Sequence, residues 1–434
     1  MPDEGLWITR NWAEPGCHTL AAYLGLGGYD SLRKAVTMHS GEVISGVDGP
    51  CIDGRGGAHF PTSRKWTRMP KDSTKPHYLV VNADEGEPGT FKDRHIMEKA
   101  PHRVVEGAAI AAYAMGISTV FIYVRGEYVL PLERMRTAVE EARKAGFLGE
   151  RILGSGFSLR MTVMRGAGAY ICGEETGMLS SMEGGKGFPR LKPPYPAFSG
   201  LYGCPTMIDN VETLAYIPGA LLCGKRCITE GKAPGELGCP ALFCVSGHVE
   251  RPGVYELPIG STAREIIYGP AGGVRDGATL KAVIPGGSSS GVLAADEIDA
   301  PMSREGLARY GAMMGTLALV VMDESVSMLA VAQNLAKFYA HETCGQCTPC
   351  REGCDWMAKL LGRIARGHGR TGEVDLLLDV SRRMSGRTIC AFAEGAAQAI
   401  SSIVKKFRQE FTAGTGERHP LPGAPVPGPG AAAR

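Results

Sequence analysis

His341-Glu342-Thr343-Cys344-Gly345-Gln346-Cys347-Thr348-Pro349-Cys350 sets three thiols on one tight loop, as two C-x-x-C steps that share Cys347. A fourth thiol, Cys390, returns forty residues later. Thiolates so spaced can reach three corners of a cubane and receive the last from elsewhere, the common pattern of a [4Fe-4S] cluster. Zinc is the competing reading, although structural zinc sites usually draw their ligands as two separated pairs. Cys354, one helical turn past Cys350, could substitute as a ligand. Electron transfer is therefore the leading functional class. Around the loop the apolar spacing is helical, through Met328, Val331, Leu335 and Phe338 before it and over 356–364, 374–384 and 396–407 after it. A helical bundle over 327–412 is expected to carry the site.

Upstream the texture changes twice. Residues 235–326 hold short β-like pieces (241–246, 253–255, 280–284) and one short helix near 262–267, which predicts a small α+β domain. Residues 63–234 alternate strand-like and helical runs, the pattern of a parallel α/β sheet. Strands are expected over 77–81, 119–124 and 159–164, each followed by a polar or glycine-rich segment: 82–89, 125–128 and 165–170. In open α/β sheets ligands bind beyond the carboxyl ends of strands, so these segments should converge on one site. Residues 1–62 form an N-terminal segment, and 413–434, rich in Pro, Gly and Ala, should form a disordered tail.

The 434 residues exceed what one core supports, and 47 Lys plus Arg against 45 Asp plus Glu leave no electrostatic footprint for nucleic acid. Thirteen cysteines without a signal-peptide pattern argue for a reducing compartment without disulfides. Residues 107–124 are uncharged over eighteen positions, but Gly116 interrupts them where a helix should stop. A helix followed by a buried strand is expected there, with no direct membrane insertion. Cys223, Cys227, Cys239 and Cys244 crowd together at irregular spacing and could form a second metal site.

Near the N-terminus stands Gly54-Arg55-Gly56-Gly57-Ala58-His59-Phe60-Pro61-Thr62, followed by Lys65 and Trp66. Consecutive glycines let several backbone N–H groups point into one concavity, and Arg55 and Lys65 add charge suited to a phosphate. No G-K-[ST] closes the loop, so it is not a Walker A motif. Asp84, Glu85, Glu87, Glu174 and Glu175 look like acid/base groups or metal ligands. As carboxylates at strand ends they also suit the hydroxyls and amides of a flavin or nicotinamide nucleotide, the role favoured here.

Taken together, the glycine loop, residues 82–94, 123–128, 165–176 and 190–194, and the four cysteines resemble the NADH-binding flavoprotein subunit of respiratory complex I, lettered F in the bacterial enzyme. The resemblance implies a Rossmann-like FMN/NADH domain, a ubiquitin-like β-grasp domain and a helical bundle with one [4Fe-4S] cluster. It implies FMN held by Gly54, Arg55, Gly56, Gly57, Ala58, Lys65, Asn82, Asp84, Gly173, Glu174 and Asn210, with Glu85, Tyr170 and Asp209 completing the cofactor-site set. NADH would lie with Phe60 and Tyr195 near the adenine, Lys192 near a ribose or phosphate, and Glu87 and Glu175 near the nicotinamide and a ribose. Hydride transfer needs no protein acid or base; Glu87 and Glu175 would position.

The implied activity is NADH oxidation, with electrons passing singly to the cluster and on toward quinone. The implied partners are a [2Fe-2S] subunit of the E type and a large iron–sulfur subunit of the G type, with the assembly peripheral at the cytoplasmic face of the bacterial plasma membrane. Related subunits of NAD-linked hydrogenases and formate dehydrogenases share the core, so a diaphorase role there is the alternative, as is a structural paralogue with impaired turnover. Four residues depart from the family pattern: His59 stands where a glycine is usual, Arg64 for a small apolar residue, Arg68 for an aromatic near the adenine, and Asp209 for an asparagine. His59 is expected to crowd the nucleotide, Asp209 to weaken FMN phosphate binding if it faces inward, and Glu175, by repelling a 2′-phosphate, to favour NADH over NADPH, less strictly than in the family generally because of Arg64 and Arg68.

Overall fold

The computed structural model describes residues 6–48, 52–223 and 239–415. A four-stranded sheet is built from β1 (Tyr78–Ala83), β2 (Thr119–Val124), β3 (Arg160–Arg165) and β4 (Thr206–Asn210), in the order β3-β2-β1-β4 with every pair parallel. Sequence spacing anticipates the first three to within two residues at each end and misses β4. The register sets Asn82 beside both Tyr123 and Asn210, and Val124 beside Arg165, so the carboxyl ends form one edge. The segments that follow each strand therefore share that edge.

The uncharged stretch resolves into the helix Pro101–Met115 and β2. Proline opens the helix at its first turn, where its missing N–H costs nothing. Gly116 closes it in the left-handed region at φ 67°, a conformation that glycine adopts without a side-chain penalty. The helix is buried nearly all round because it lies between the sheet and the helix Val211–Cys223. A Cβ on Gly107 would stand 1.9 Å from the Leu214 carbonyl oxygen, so the two backbones touch where only glycine allows it. Among the described residues no helix is long and apolar enough to cross a membrane.

A second sheet comprises β5 (Pro240–Gly247), β6 (Gly253–Pro258), β7 (Leu280–Ile284), β8 (Leu293–Ala294) and β9 (Ala318–Asp323), in the order β6-β5-β9-β7-β8. β5 and β9 pair in parallel at the centre, the other pairs are antiparallel, and the helix Ala263–Tyr268 packs Ile266 and Ile267 into the core with Phe243 and Leu319. This is the β-grasp arrangement; β9 escapes the sequence pattern. The C-terminal helices Met328–Glu342, Thr348–Ala365, Glu373–Met384 and Phe392–Lys406 share a core around Leu361, Leu377 and Ile400. The second starts eight residues earlier than the periodicity predicts, since Pro349 fits its first turn.

Cys239 is disulfide-bonded, against the expectation of a disulfide-free chain. Cys227 and the side chain of Cys223 lie outside the described residues, as do 416–434 of the expected tail. Cys244 is fully buried in β5 and its sulfur accepts the Phe91 N–H at 3.2 Å, so it has a packing role instead of the metal role considered.

Candidate functional site

Beyond the strand ends lies a cavity of about 230 Å³. Its walls are Arg55 and Gly56 of the glycine loop, Asn82, Asp84, Glu85, Gly86 and Glu87 after β1, Tyr170, Ile171, Gly173 and Glu174 after β3, Asn210 at the end of β4, and Cys390, Ala391 and Phe392 from the bundle. Asn82 donates to the Gly173 carbonyl at 2.9 Å while its oxygen accepts the Asp84 N–H, which ties two of the strand-end segments together.

The carboxylates differ in what the protein has already given them. Glu85 accepts the N–H groups of Asp93 and Arg94 at 2.9 Å and the Tyr128 hydroxyl at 3.0 Å, so it caps the helix Lys92–Lys99. Glu87 accepts from the Tyr170 hydroxyl (2.5 Å), the Ser288 hydroxyl (2.8 Å), and both the N–H and hydroxyl of Ser289 (2.6 and 3.1 Å). Glu174 caps the helix Glu175–Met182 through the N–H groups of Thr176 and Gly177 at 2.8 Å. Asp84 is the exception. Its Oδ2 is buried with no partner among the described residues, and burial, with Glu127 and Glu342 against a counteracting Arg125, pushes its carboxyl up to about 7. A buried acceptor without a donor costs roughly 1–3 kcal/mol. It therefore fits a ligand that brings an N–H or O–H to it, as a flavin does.

Beneath this wall Lys92, fully buried, pairs with Asp93 at 2.9 Å and Glu212 at 2.8 Å. Burial opposes its charge, but Asp93, Glu212 and Glu85 outweigh that and raise its pKa. Asp93 also accepts from the Asn210 amide at 2.6 Å, and the Asn210 oxygen caps the following helix through Glu212 N–H. Asn210 is thus held from both ends.

The four thiols are close enough to act on one another. Burial first, then Cys350 and Cys347, raise the pKa of Cys344; burial, then Glu174, Cys344 and Cys350, push Cys390 up to about 12. Mutual repulsion of this kind is relieved when iron binds the thiolates. Among the described residues no three His, Cys, Asp or Glu side chains gather as the ligands of one ion would. A cubane takes its thiolates at separate corners, which three thiols on one loop and Cys390 beyond it are suited to supply. Ile389 N–H donates to Cys347 Sγ at 3.4 Å, and Thr343 Oγ1 lies 3.2 Å from Cys350 Sγ. Cys354 is wholly buried and hydrogen-bonds to Cys350, the place of a supporting group. Glu342, two residues before Cys344, accepts the Tyr170 N–H at 3.0 Å and joins the cysteine loop to the cavity wall.

A second cavity of about 260 Å³ opens near the first, lined by Ala58, Phe60, Lys65, Arg68, Glu175, Tyr195, Pro196, Ala197, Phe198, Thr206, Met207 and Ile208. Its aromatics are exposed: Phe60 37%, Tyr195 51% and Phe198 56%. Lys192 donates to Glu174 at 3.0 Å and to Glu175 at 2.8 Å, so it bridges the walls of the two cavities.

Residues 49–219 match the family described as Nuo51 FMN-binding domain, 242–293 the SLBB domain, and 330–414 the NADH-ubiquinone oxidoreductase-F iron-sulfur binding region. The second F-type NADH-quinone oxidoreductase subunit of Rhizobium meliloti is 48% identical over 95% of this chain and 98% of its own. The F-type subunit of Streptomyces coelicolor is 47% identical over 93% and 90%. The chain belongs to the family of F-type NADH-quinone oxidoreductase subunits. Among solved structures, an NAD+-reducing [NiFe]-hydrogenase in the H2-reduced state superposes with a TM-score of 0.82 at 32% identity, over 92% of this chain and 67% of that one.

Three of the four departures from the family pattern line neither cavity. His59 takes φ 49°, and its Nε2 lies 2.8 Å from the Gly315 carbonyl oxygen. Burial, then Arg55, lowers its pKa to about 4, so the ring is neutral and Nε2–H donates. The imidazole lines neither cavity, contrary to the crowding expected of it. Asp209 accepts from Trp66 Nε1 at 2.8 Å and lies 3.4 Å from Lys65 Nζ. Its carboxylate faces those two groups and does not line the first cavity, so it is not in the inward position from which it would oppose a phosphate. Arg64 lines neither cavity, whereas Arg68 lines the second.

Of the other expected ligands, Gly54, Gly57 and Lys192 line neither cavity, and Lys65, Ala58, Phe60, Glu175 and Tyr195 line the second. Sequence reasoning gave no role to Thr90, Lys92, Asp93, Thr316 or Phe392, which line the first. Thr90 and Thr316 meet at 2.5 Å across 226 residues of chain, a pairing with no local signature.

Proposed function

We propose that FMN occupies the first cavity and that NADH enters through the second. The chain is an NADH dehydrogenase subunit with FMN and a [4Fe-4S] cluster as cofactors. One observation carries the assignment of sites: a single cavity is walled by the glycine loop, by three strand ends and by Cys390 with Phe392. Flavin and cluster would then be neighbours, as the hand-over of electrons requires.

When bound, FMN supplies acceptance of a hydride from NADH and release of its electrons one at a time. The chain's own groups bind and orient. Gly56 leaves the loop backbone open to close approach, and Asn82 and Asn210 are held in place by Gly173, Asp93 and Glu212. Asp84 Oδ2 accepts a donor from the cofactor. Glu87, fixed by four hydrogen bonds, holds a carboxylate at the nicotinamide end without serving as a base. Phe60, Tyr195 and Phe198 offer the adenine a face on which to stack, and Tyr170, Ile171 and Phe392 exclude water from the inner cavity.

For the assembly, the F-type relatives imply a multisubunit complex. We assign the direct partners as a [2Fe-2S] subunit of the E type and a large iron–sulfur subunit of the G type, at the cytoplasmic face of the membrane. The likeness to an NAD+-reducing hydrogenase favours a second reading, a diaphorase subunit of such an enzyme. Higher identity to the NADH-quinone oxidoreductase relatives favours the first. Purification from the native source decides the context by the subunits that accompany the chain. The core reading is tested by flavin and iron content with NADH:ferricyanide activity. FMN, cluster and turnover are expected together; an intact cluster with no FMN binding would support the structural paralogue instead.

A further inference from the structure

Among the described residues Glu175 is the one carboxylate on the wall of the second cavity, and a lone carboxylate beside a nucleotide ribose would repel an added 2′-phosphate. Here it does not stand alone, because Lys192 lies 2.8 Å from it. Arg68 lines the same small cavity with its guanidinium carbon 4.9 Å from the centroid of the Phe60 ring. A guanidinium stacked on an aromatic face keeps its edge free for donation, and that planar edge matches a phosphate. Among the described residues no ion pair engages Arg68, so its charge is available to a ligand. Lys65, the other cation on this wall, is occupied by Asp209 and the Ile208 carbonyl. The cavity thus holds one neutralised carboxylate and one available guanidinium.

We propose that Arg68 is a specificity-determining residue that lets this chain accept 2′-phosphorylated nicotinamide dinucleotide, NADPH, alongside NADH. The proposal rests on the reading that the adenosine end of the substrate occupies the second cavity. The redox step is unchanged: each NADPH gives up a hydride and leaves as NADP+, while two ferricyanide ions take one electron each and a proton is released. Arg68 acts on binding, through charge-assisted hydrogen bonds to the 2′-phosphate that NADH cannot form.

The experiment uses the full chain loaded with FMN, with 2′,5′-ADP and 5′-AMP as probes in calorimetry, beside steady-state turnover of NADPH and NADH. The wild type should bind 2′,5′-ADP at least as tightly as 5′-AMP. Arg68→Met should weaken 2′,5′-ADP by roughly tenfold and 5′-AMP by much less, given the usual strength of a hydrogen bond to a charged group. kcat/KM for NADPH should fall in parallel through KM, and Arg68→Lys should restore part of it. Equal weakening of both probes would show that Arg68 serves the adenine and not the phosphate, which overturns the proposal and leaves the site reading intact. If neither Arg68→Met nor Phe60→Ala alters binding of either probe, the nucleotide lies elsewhere and both fall.

Discussion

The two cavities are linked through Lys192, which bonds Glu174 on one wall and Glu175 on the other, yet they are built by opposite rules. The inner one is walled by buried groups that have met their partners: Glu85 and Glu174 cap helices, Glu87 takes four hydrogen bonds, and Lys92 is locked between Asp93 and Glu212. The outer one is walled by aromatics that remain about a third to a half exposed and by a cation with no ion pair among the described residues. A resident cofactor can be met by a rigid, presatisfied wall, because its binding is not repeated at each turnover. A substrate that must leave is better served by exposed surfaces whose contacts are individually weak.

The largest break in this contrast should come from Cys390→Ser, since Cys390 is both a candidate cluster ligand and part of the inner wall. Iron analysis should show the cluster lost, and flavin retention on gel filtration should fall with it. Retention of full iron content would refute the ligand assignment.

Lys92→Met should follow. It strands Asp93 and Glu212 as buried charges without their cation, which typically costs about 3–5 kcal/mol. Urea unfolding should register that loss, and FMN affinity should drop as Asn210 is released. A change of less than about 1 kcal/mol would mean the network is looser than its distances suggest.

Asp84 sharpens the contrast because it is the inner group whose partner is the cofactor. Burial raises its folded-state pKa to about 7, above its unfolded value, so the folded protein holds the proton more tightly. The apoprotein should therefore lose stability as pH rises from about 4 to 7, by an amount on the order of 2–4 kcal/mol. Asp84→Asn should flatten that decline and be the more stable apoprotein at pH 8, while binding FMN less well. Parallel urea curves for both proteins from pH 5 to 8 would contradict the account.

The outer wall should behave differently. Phe60→Ala is expected to change unfolding free energy by within about 0.5 kcal/mol, as exposed positions usually do. It should still raise KM for NADH several-fold while leaving kcat alone. Smallest of all, His59→Gly should leave KM for NADH within about twofold, because the ring points to Gly315. Its loss removes one hydrogen bond, worth about 1 kcal/mol, and relieves a positive φ. A marked fall in KM would mean that the imidazole reaches the nucleotide after all.

What could be read from sequence follows the range of the interaction. Signals such as Pro101 and Gly116 act over a few residues, and the helix they bound appears in place. β4 and β9 left no clear signal, because each is recognised by the strands it pairs with: β4 at the sheet edge beside β1, and β9 between β5 and β7.

The chain's order of residues determined by itself the cysteine loop, the alternation that makes a parallel sheet and the carboxylates at its strand ends. Only the tertiary structure decided what those carboxylates are for. Glu87 is fixed by serines about two hundred positions away, His59 is turned aside by Gly315, and Asp84 Oδ2 is left without a donor among the described residues. The reason is physical: a side chain's chemistry is local, but its hydrogen-bond partner is chosen by whichever distant backbone the fold brings alongside, and no local pattern encodes that choice.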